Sequence, residues 1–309
     1  MSATSNAIIA AVLLLGCVAA WWTLLRRRAN GELLVSFEPR RLVPWDASIL
    51  GPAVLLFILV RAAAMECAGH FVHGNDALRV AMELSPDPQS WWSLPGYAAL
   101  MFQAAAGSQV VTAVATALLL VVYYRADRDD LGFSLRRLGG DVWLGIVGFF
   151  AAAVPAVFIQ ALMQTLVAKS QHPIVLAFGP GVETPTIVWA AIAAVVVAPI
   201  AEEFLFRGVL QGWLERVWAL RTAVASPDDE TPVIESVIET APSFAPIGIS
   251  SAIFALMHIT SGVDVVPLFF LALGLGYLYR QTHRLWPSIV VHMLLNAVSL
   301  TLLYFEAAA

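Results

Sequence analysis

Three short polar clusters stand inside otherwise apolar text, and their side chains suit hydrolysis. The first is Glu202, Glu203 and Arg207, in the stretch Ala201-Glu202-Glu203-Phe204-Leu205-Phe206-Arg207. The second is Phe254-Ala255-Leu256-Met257-His258, and the third is His292-Met293-Leu294-Leu295-Asn296. Residues four apart share one face of a helix. Glu203 is therefore expected to pair with Arg207, Phe254 to brace His258, and His292 to share a face with Asn296. Pairing leaves Glu202 on a neighbouring face, free for chemistry. A carboxylate in a low-dielectric pocket is a general base toward water. A His or Asn side chain donates hydrogen bonds to the oxyanion that develops as water attacks a carbonyl. Alternatively, Glu202, His258 and His292 hold a zinc ion whose bound water is the nucleophile. The residues leave both arrangements open.

These clusters matter because of where they lie. The chain of 309 residues is 60% hydrophobic and only 13% charged, with a mean hydropathy of +0.79. Soluble domains carry about 25% charged residues, so lipid is the solvent for most of this chain. An ionisable group inside a membrane span costs roughly 2.5–3.5 kcal/mol on insertion scales and needs a reason. A polar lock between helices is the bland alternative, but six such residues in three ordered clusters point to a site.

A spanning helix needs about 20 apolar residues, and the text predicts an all-α, polytopic bundle of about eight spans. The expected spans are Ala7–Leu25, Ala47–Met65, Tyr97–Tyr124, Val142–Ala168, Thr186–Leu220, Ala245–Thr260, Val265–Tyr279 and Leu285–Phe305. The first reads as an anchor, because its Arg cluster follows the apolar run and no small-residue cleavage site is present. Arg61 is expected near the end of span two, where a long side chain can snorkel. No segment alternates as a membrane strand does.

Arg26–Arg28, Arg40, Arg41, Arg125, Arg128, Arg136, Arg137, Arg216, Arg221, Arg280 and Arg284 fall in loops or at span ends on one side. That side is expected to be cytoplasmic. The loop Ser226–Ser243 falls there too. It is acidic and proline-bearing, and it reads as a mobile insertion with room for a short surface helix at its centre. The net charge of −5 comes with no basic patch beyond short Arg clusters, so nucleic acid is not an expected partner. Cys17 and Cys67 show no metal or disulfide spacing. Gly208 and Gly212 suit close helix approach.

The three clusters, in order, resemble the Glu-Glu-x-x-x-Arg, Phe-x-x-x-His and His-x-x-x-Asn motifs of the CAAX prenyl protease and bacteriocin-processing family, also called the Abi family. Leu273-Gly274-Leu275-Gly276-Tyr277-Leu278-Tyr279 and Trp286-Pro287-Ser288-Ile289 resemble it as well. The likeness covers about residues 141–300. It divides the chain into N-terminal spans over 1–140 and a catalytic helical core over 141–309, with 226–243 as an insertion. The resemblance implies an intramembrane endopeptidase acting on membrane-associated protein or peptide. Glu202 would activate the water and His258 would help position it. His292 and Asn296 would stabilise the oxyanion, with Glu203 and Arg207 in support. Eukaryotic type II members remove three residues after a prenylated cysteine. No third strong metal ligand is evident, so the glutamate mechanism is favoured over zinc. A bacterial inner membrane is implied, with the site nearer the cytoplasmic face.

Other intramembrane protease signatures are missing from the text. There is no His-Glu-x-x-His, no Gly-x-Ser-Gly and no Gly-x-Gly-Asp. Two rival classes remain. A proton-coupled transporter would use the same residue types, yet no paired halves are visible. A catalytically silent scaffold or immunity protein would keep the bundle and tolerate loss of Glu202.

Overall fold

The computed structural model describes residues 3–85, 87–224, 237–238 and 243–308. Helix α1 spans Ala3–Ala29, α2 Leu50–His73, α3 Asp76–Leu84 and α4 Tyr97–Tyr124. Helix α5 runs Leu138–Leu166, and α7, the longest, runs Thr184–Arg221. Between them lies the short α6, Pro173–Ala177; after α7 come α8 Ala245–Leu256, α9 Val265–Thr282 and α10 Trp286–Ala307. Seven helices among the described residues are long and apolar enough to cross a membrane. The fold is an all-α, polytopic membrane bundle.

Two boundaries differ from expectation, and both bear on the site. Helix α8 is only 12 residues long, about 18 Å at 1.5 Å per residue, and does not cross a membrane alone. The apolar text continues through Met257 and Ile259, but the backbone turns instead. His258 has non-helical angles (φ −100°, ψ 15°), a 3-10 turn follows over Ile259–Asp264, and Gly262 (φ 73°) supplies the left-handed step that re-aims the chain into α9. Span six is therefore a short helix returning through α9. Helix α2 reaches His73 rather than Met65. Arg61 consequently lies mid-helix, not near an end from which it could snorkel.

Helix α7 is not a uniform α-helix. Ala191–Val197 and Phe204–Gln211 have π pitch, as does Phe149–Ala153 in α5. Prolines follow two of these segments and leave carbonyls without their helical donors. Pro155 offers no N–H to Ala151 O, which accepts the Trp21 indole N–H at 3.1 Å. At π pitch the donor for Ala194 O would be Pro199, and that carbonyl is taken by Asn296 Nδ2 at 2.7 Å. Such bulges recur at functional sites.

Small residues set the helix distances. A Cβ on Gly145 would stand 2.6 Å from Val290 Cβ, so α5 lies directly on α10. A Cβ on Gly274 would stand 2.6 Å from Ala152 Cβ, and one on Gly276 2.9 Å from Ile247 Cγ2. The glycine-bearing stretch of α9 thus packs on α5 and α8. Gly212 faces Val43 and Tyr279 of its own chain.

The loops at one end of the bundle are tied together by charge. Arg284 Nε sits 2.8 Å from Asp141 Oδ2, its NH2 donates to Glu38 Oε1 at 3.0 Å, and Arg137 NH1 joins Glu38 Oε1 at 3.0 Å. Arg40 NH1 donates to Tyr279 OH at 2.8 Å. Gln211 Nε2 bridges Glu215 Oε1 and Gly276 O, each at 2.9 Å. The expected insertion Ser226–Ser243 lies mostly outside the described residues. Its described pair Val237–Ile238 forms an antiparallel bridge with Arg40–Arg41.

Candidate functional site

Helices α7, α8 and α10 bring the three clusters together, with α4 closing one side. Glu203 is fully buried and held from two directions. Its Oε2 lies 3.2 Å from Arg207 Nε, an ion pair whose angle falls short of a hydrogen bond. Its Oε1 lies 3.0 Å from His292 Nδ1. A carboxylate accepts, so Nδ1 carries the proton and Nε2 faces away. On that other side stands Glu202, with Oε2 4.0 Å from His292 Nε2. That separation is too long for a direct hydrogen bond and suits one bridging water. The two neighbouring carboxylates are thus unlike: the Glu202 side chain is 19% exposed, and that of Glu203 0%.

Phe254 is the packing hub. Its ring lies 5.0 Å from the His258 ring and 6.1 Å from that of His292, and the Arg207 guanidinium sits 4.7 Å over it. Such a cation–π contact partly offsets burial of the charge. Phe206 meets the same ring edge-on at 5.1 Å. The expected bracing of His258 by Phe254 is present, and the brace extends to all three clusters.

His258 follows the last turn of α8, and its Nδ1 is 3.0 Å from Phe254 O. A carbonyl only accepts, so this nitrogen donates and Nε2 is left free. Asn296 lies one turn beyond His292 on α10 and donates one N–H to Ala194 O. Among the described residues its second amide hydrogen has no such partner. Ser250 Oγ on α8 donates to Phe206 O at 2.9 Å, which ties α8 to the π segment below Glu203.

Sequence reasoning missed four contributors. Gln109 on α4 donates to Glu202 Oε1 at 3.3 Å. Arg61 is a half-buried charge near the middle of α2. Asp264, after the 3-10 turn, accepts from Ser170 Oγ at 2.5 Å and Gln160 Nε2 at 3.2 Å. His172, in the loop before α6, is held down to about 4 by burial and by the neighbouring His258, against the opposing pull of Asp264. Only Arg61 carried a signal, a charge in an apolar run; the others depend on which helices pack together.

Among the described residues, no three of His, Cys, Asp and Glu are grouped so that they could hold a metal ion. The zinc set Glu202, His258 and His292 is not assembled.

Neither curated proteins nor solved structures give a match to this chain. A family model does match over residues 184–298, and its description is type II CAAX prenyl endopeptidase Rce1-like. That stretch begins with α7 and ends two residues after Asn296, so it holds all three clusters and the whole hub around Phe254. The segment of the chain that builds this site is thus similar to the Rce1-like domain of type II CAAX prenyl endopeptidases.

Proposed function

We propose that this protein is an intramembrane endopeptidase of the glutamate type, with residues 141–309 as its catalytic core and Glu202 as the base. The observation that carries the reading is the inequality of the paired glutamates. Glu203 is spent on Arg207 and His292, while Glu202 is partly exposed and faces the free nitrogen of His292.

In this reading a water sits between Glu202 and His292 Nε2. Glu202 takes its proton as the oxygen adds to the scissile carbonyl carbon. The tetrahedral intermediate then collapses, the C–N bond breaks, and the proton passes to the leaving amine. Asn296 contributes its uncommitted N–H to the oxyanion, and His258 lines the carbonyl side. Glu203 and Arg207 fix His292 in the tautomer that keeps Nε2 available. The substrate is a membrane-associated protein or peptide with its cleavable bond close to its C-terminus, as the family description suggests for this domain. His292 lies six residues into α10, roughly 9 Å from its start at the basic end of the bundle. That end is proposed to be cytoplasmic, in a bacterial inner membrane.

The test is proteolysis by purified wild type and Glu202→Gln on prenylated and unprenylated C-terminal peptides, with and without a chelator. Cleavage by wild type alone, indifferent to the chelator, supports the glutamate mechanism. Chelator-sensitive cleavage would replace it with a metal one. Equal cleavage by both proteins would remove Glu202 as the base, and a stable, folded pair that cleaves nothing in the panel would favour the silent scaffold.

A further inference from the structure

The residue that holds Glu202 stands on none of the helices that carry the three clusters. Gln109, on α4, donates from Nε2 to Glu202 Oε1 at 3.3 Å. The other oxygen, Oε2, is the one that stands 4.0 Å from His292 Nε2. A carboxylate only accepts, so the amide nitrogen of Gln109 faces it and the amide oxygen faces away. The distance lies at the long end for such a bond, as catalytic contacts often do before a substrate is bound. Among the described residues no other hydrogen bond holds the Glu202 side chain.

Packing fixes where Gln109 stands. The start of α4 is tied to the start of α7, with Gly96 N donating to Glu183 Oε2 at 2.9 Å. From there α4 lies against α7 and follows it in the same direction. Ala98, Phe102 and Ala106 share a buried cluster with Ala190 and Ala193 of α7, and further on Leu120 shares another with Phe204 and Val209. Gln109 falls between these two stretches, so contacts on both sides of it set its distance from Glu202. The alanines let the two backbones come close. Helix α4 carries no charge of its own, and Gln109 is half-buried. Its amide is a neutral donor set on a carboxylate in a low-dielectric span, where such a bond is electrostatically stronger than in water.

We propose that Gln109 is a positioning residue for cleavage: it fixes Glu202 so that Oε2, and not Oε1, meets the water beside His292. The inference rests on the endopeptidase reading with Glu202 as the base. The torsion that exchanges the two oxygens of a glutamate is broad, and further rotatable bonds lie between it and the backbone. Glu203 has its own anchors in Arg207 and His292; Gln109 is the corresponding anchor of Glu202. A base that wanders by about 1 Å loses on the order of 100-fold in rate. Gln109 acts through Glu202 and touches neither the water nor the scissile carbonyl in this reading. It lies outside the matched residues 184–298, so the base is aimed by a helix that the family likeness does not cover.

The test measures kcat and KM separately on a fluorophore-labelled, farnesylated C-terminal peptide, using full-length protein in detergent. Gln109→Met keeps the length and loses the donor, and Gln109→Asn keeps the amide but is one methylene too short. Both are expected to lower kcat about 10- to 100-fold with KM little changed. Both should unfold near the wild-type temperature, since one interhelical hydrogen bond in a membrane adds little stability. Ser108→Ala removes the neighbouring hydroxyl, which bonds Ala105 O within α4 at 2.8 Å, and should leave kcat unchanged. Wild-type kcat in Gln109→Met, a loss confined to KM, a loss that tracks a fall in unfolding temperature, or an equal loss in Ser108→Ala overturns the proposal. An infrared measurement needs no turnover. The Glu202 carboxyl band, identified by its loss in Glu202→Gln, should shift in Gln109→Met and stay in place in Ser108→Ala. If wild type cleaves nothing, or Glu202→Gln cleaves as well as wild type, the protease reading fails by itself and the band decides. A shift then sustains the hold of Gln109 on Glu202, and an unmoved band overturns it in every case. Should Gln109→Met not fold, Gln109→Asn carries both assays.

Discussion

His292 and Glu203 meet across two helices, Nδ1 to Oε1 at 3.0 Å, and this single contact decides what the opposite edge of the imidazole can do. With the proton fixed on Nδ1, Nε2 is presented to Glu202, 4.0 Å away. A buried carboxylate that orients a histidine in this way acts through that histidine.

The two glutamates should therefore respond differently to the same substitution. Glu202→Gln is expected to lower cleavage by about 100-fold or more, with an unfolding temperature close to wild type. Glu203→Gln leaves the buried Arg207 unpaired and should cost about 3–5 kcal/mol of stability. Thermal unfolding in detergent, run beside the protease assay, separates them. A Glu203→Gln protein as stable as wild type would contradict the assignment.

Phe254 should be more than a core residue. Phe254→Ala removes the surface on which His258, His292 and Arg207 rest, with an expected loss of about 3–5 kcal/mol. Phe254→Leu keeps most of the volume but not the aromatic face over Arg207. It is expected to fold, to lose about 1–2 kcal/mol of stability with the cation–π contact, and to cleave more slowly because His292 and His258 lose their aromatic support. Activity equal to wild type in Phe254→Leu would reduce the ring to a space filler.

How much of this was legible in sequence depended on the kind of residue. Charges in apolar text stood out, so Glu202, Glu203, Arg207, His258 and His292 could be named before any contact was known. Span six reads as longer than it is because hydropathy continues through Met257 and Ile259, while the turn at His258 and Gly262 is a backbone event that hydropathy does not report. Asn296 was grouped with the oxyanion donors. Its bond to Ala194 O follows from the π pitch ahead of Pro199, which no side-chain pattern announces. Gln109 and His172 looked ordinary because their importance lies in helix neighbours far away in sequence.

His172 gives a pH dependence. Held at about 4 in the folded protein and ordinarily near 6.5, it is neutral when folded across that interval. The unfolded chain binds more protons there, so stability should fall as pH drops from 6.5 toward 4 and level off below. His172→Gln should flatten that part of the profile. An unchanged slope in thermal unfolding between pH 6.5 and 4 would show that other groups carry it.

The Glu38 junction should act at lower pH. Burial pushes its carboxyl up, but Arg284 and Arg137 outweigh that and hold it below the ordinary range. The resulting stability is present above about pH 4.5 and is lost as pH falls through the depressed value. Wild type should then lose stability on acidification more steeply than Glu38→Gln, which starts lower. Parallel curves for the two would argue against the junction as a stabilising element.

The π segments of α7 make that helix a rotary device for its own side chains. Each residue of an α-helix turns the chain by about 100°, and an extra residue accommodated as π pitch sets the azimuth of everything downstream. Glu202 and Glu203 end the six-residue α stretch Ala198–Glu203 that separates two such segments. Deleting one residue from Ala191–Val197 would let the helix relax to α pitch and keep the carboxylates aimed as they are. The same deletion in a uniform helix would swing them a quarter-turn or more into lipid. The bulge is the slack that lets length change in this helix without losing the bearing of its glutamates.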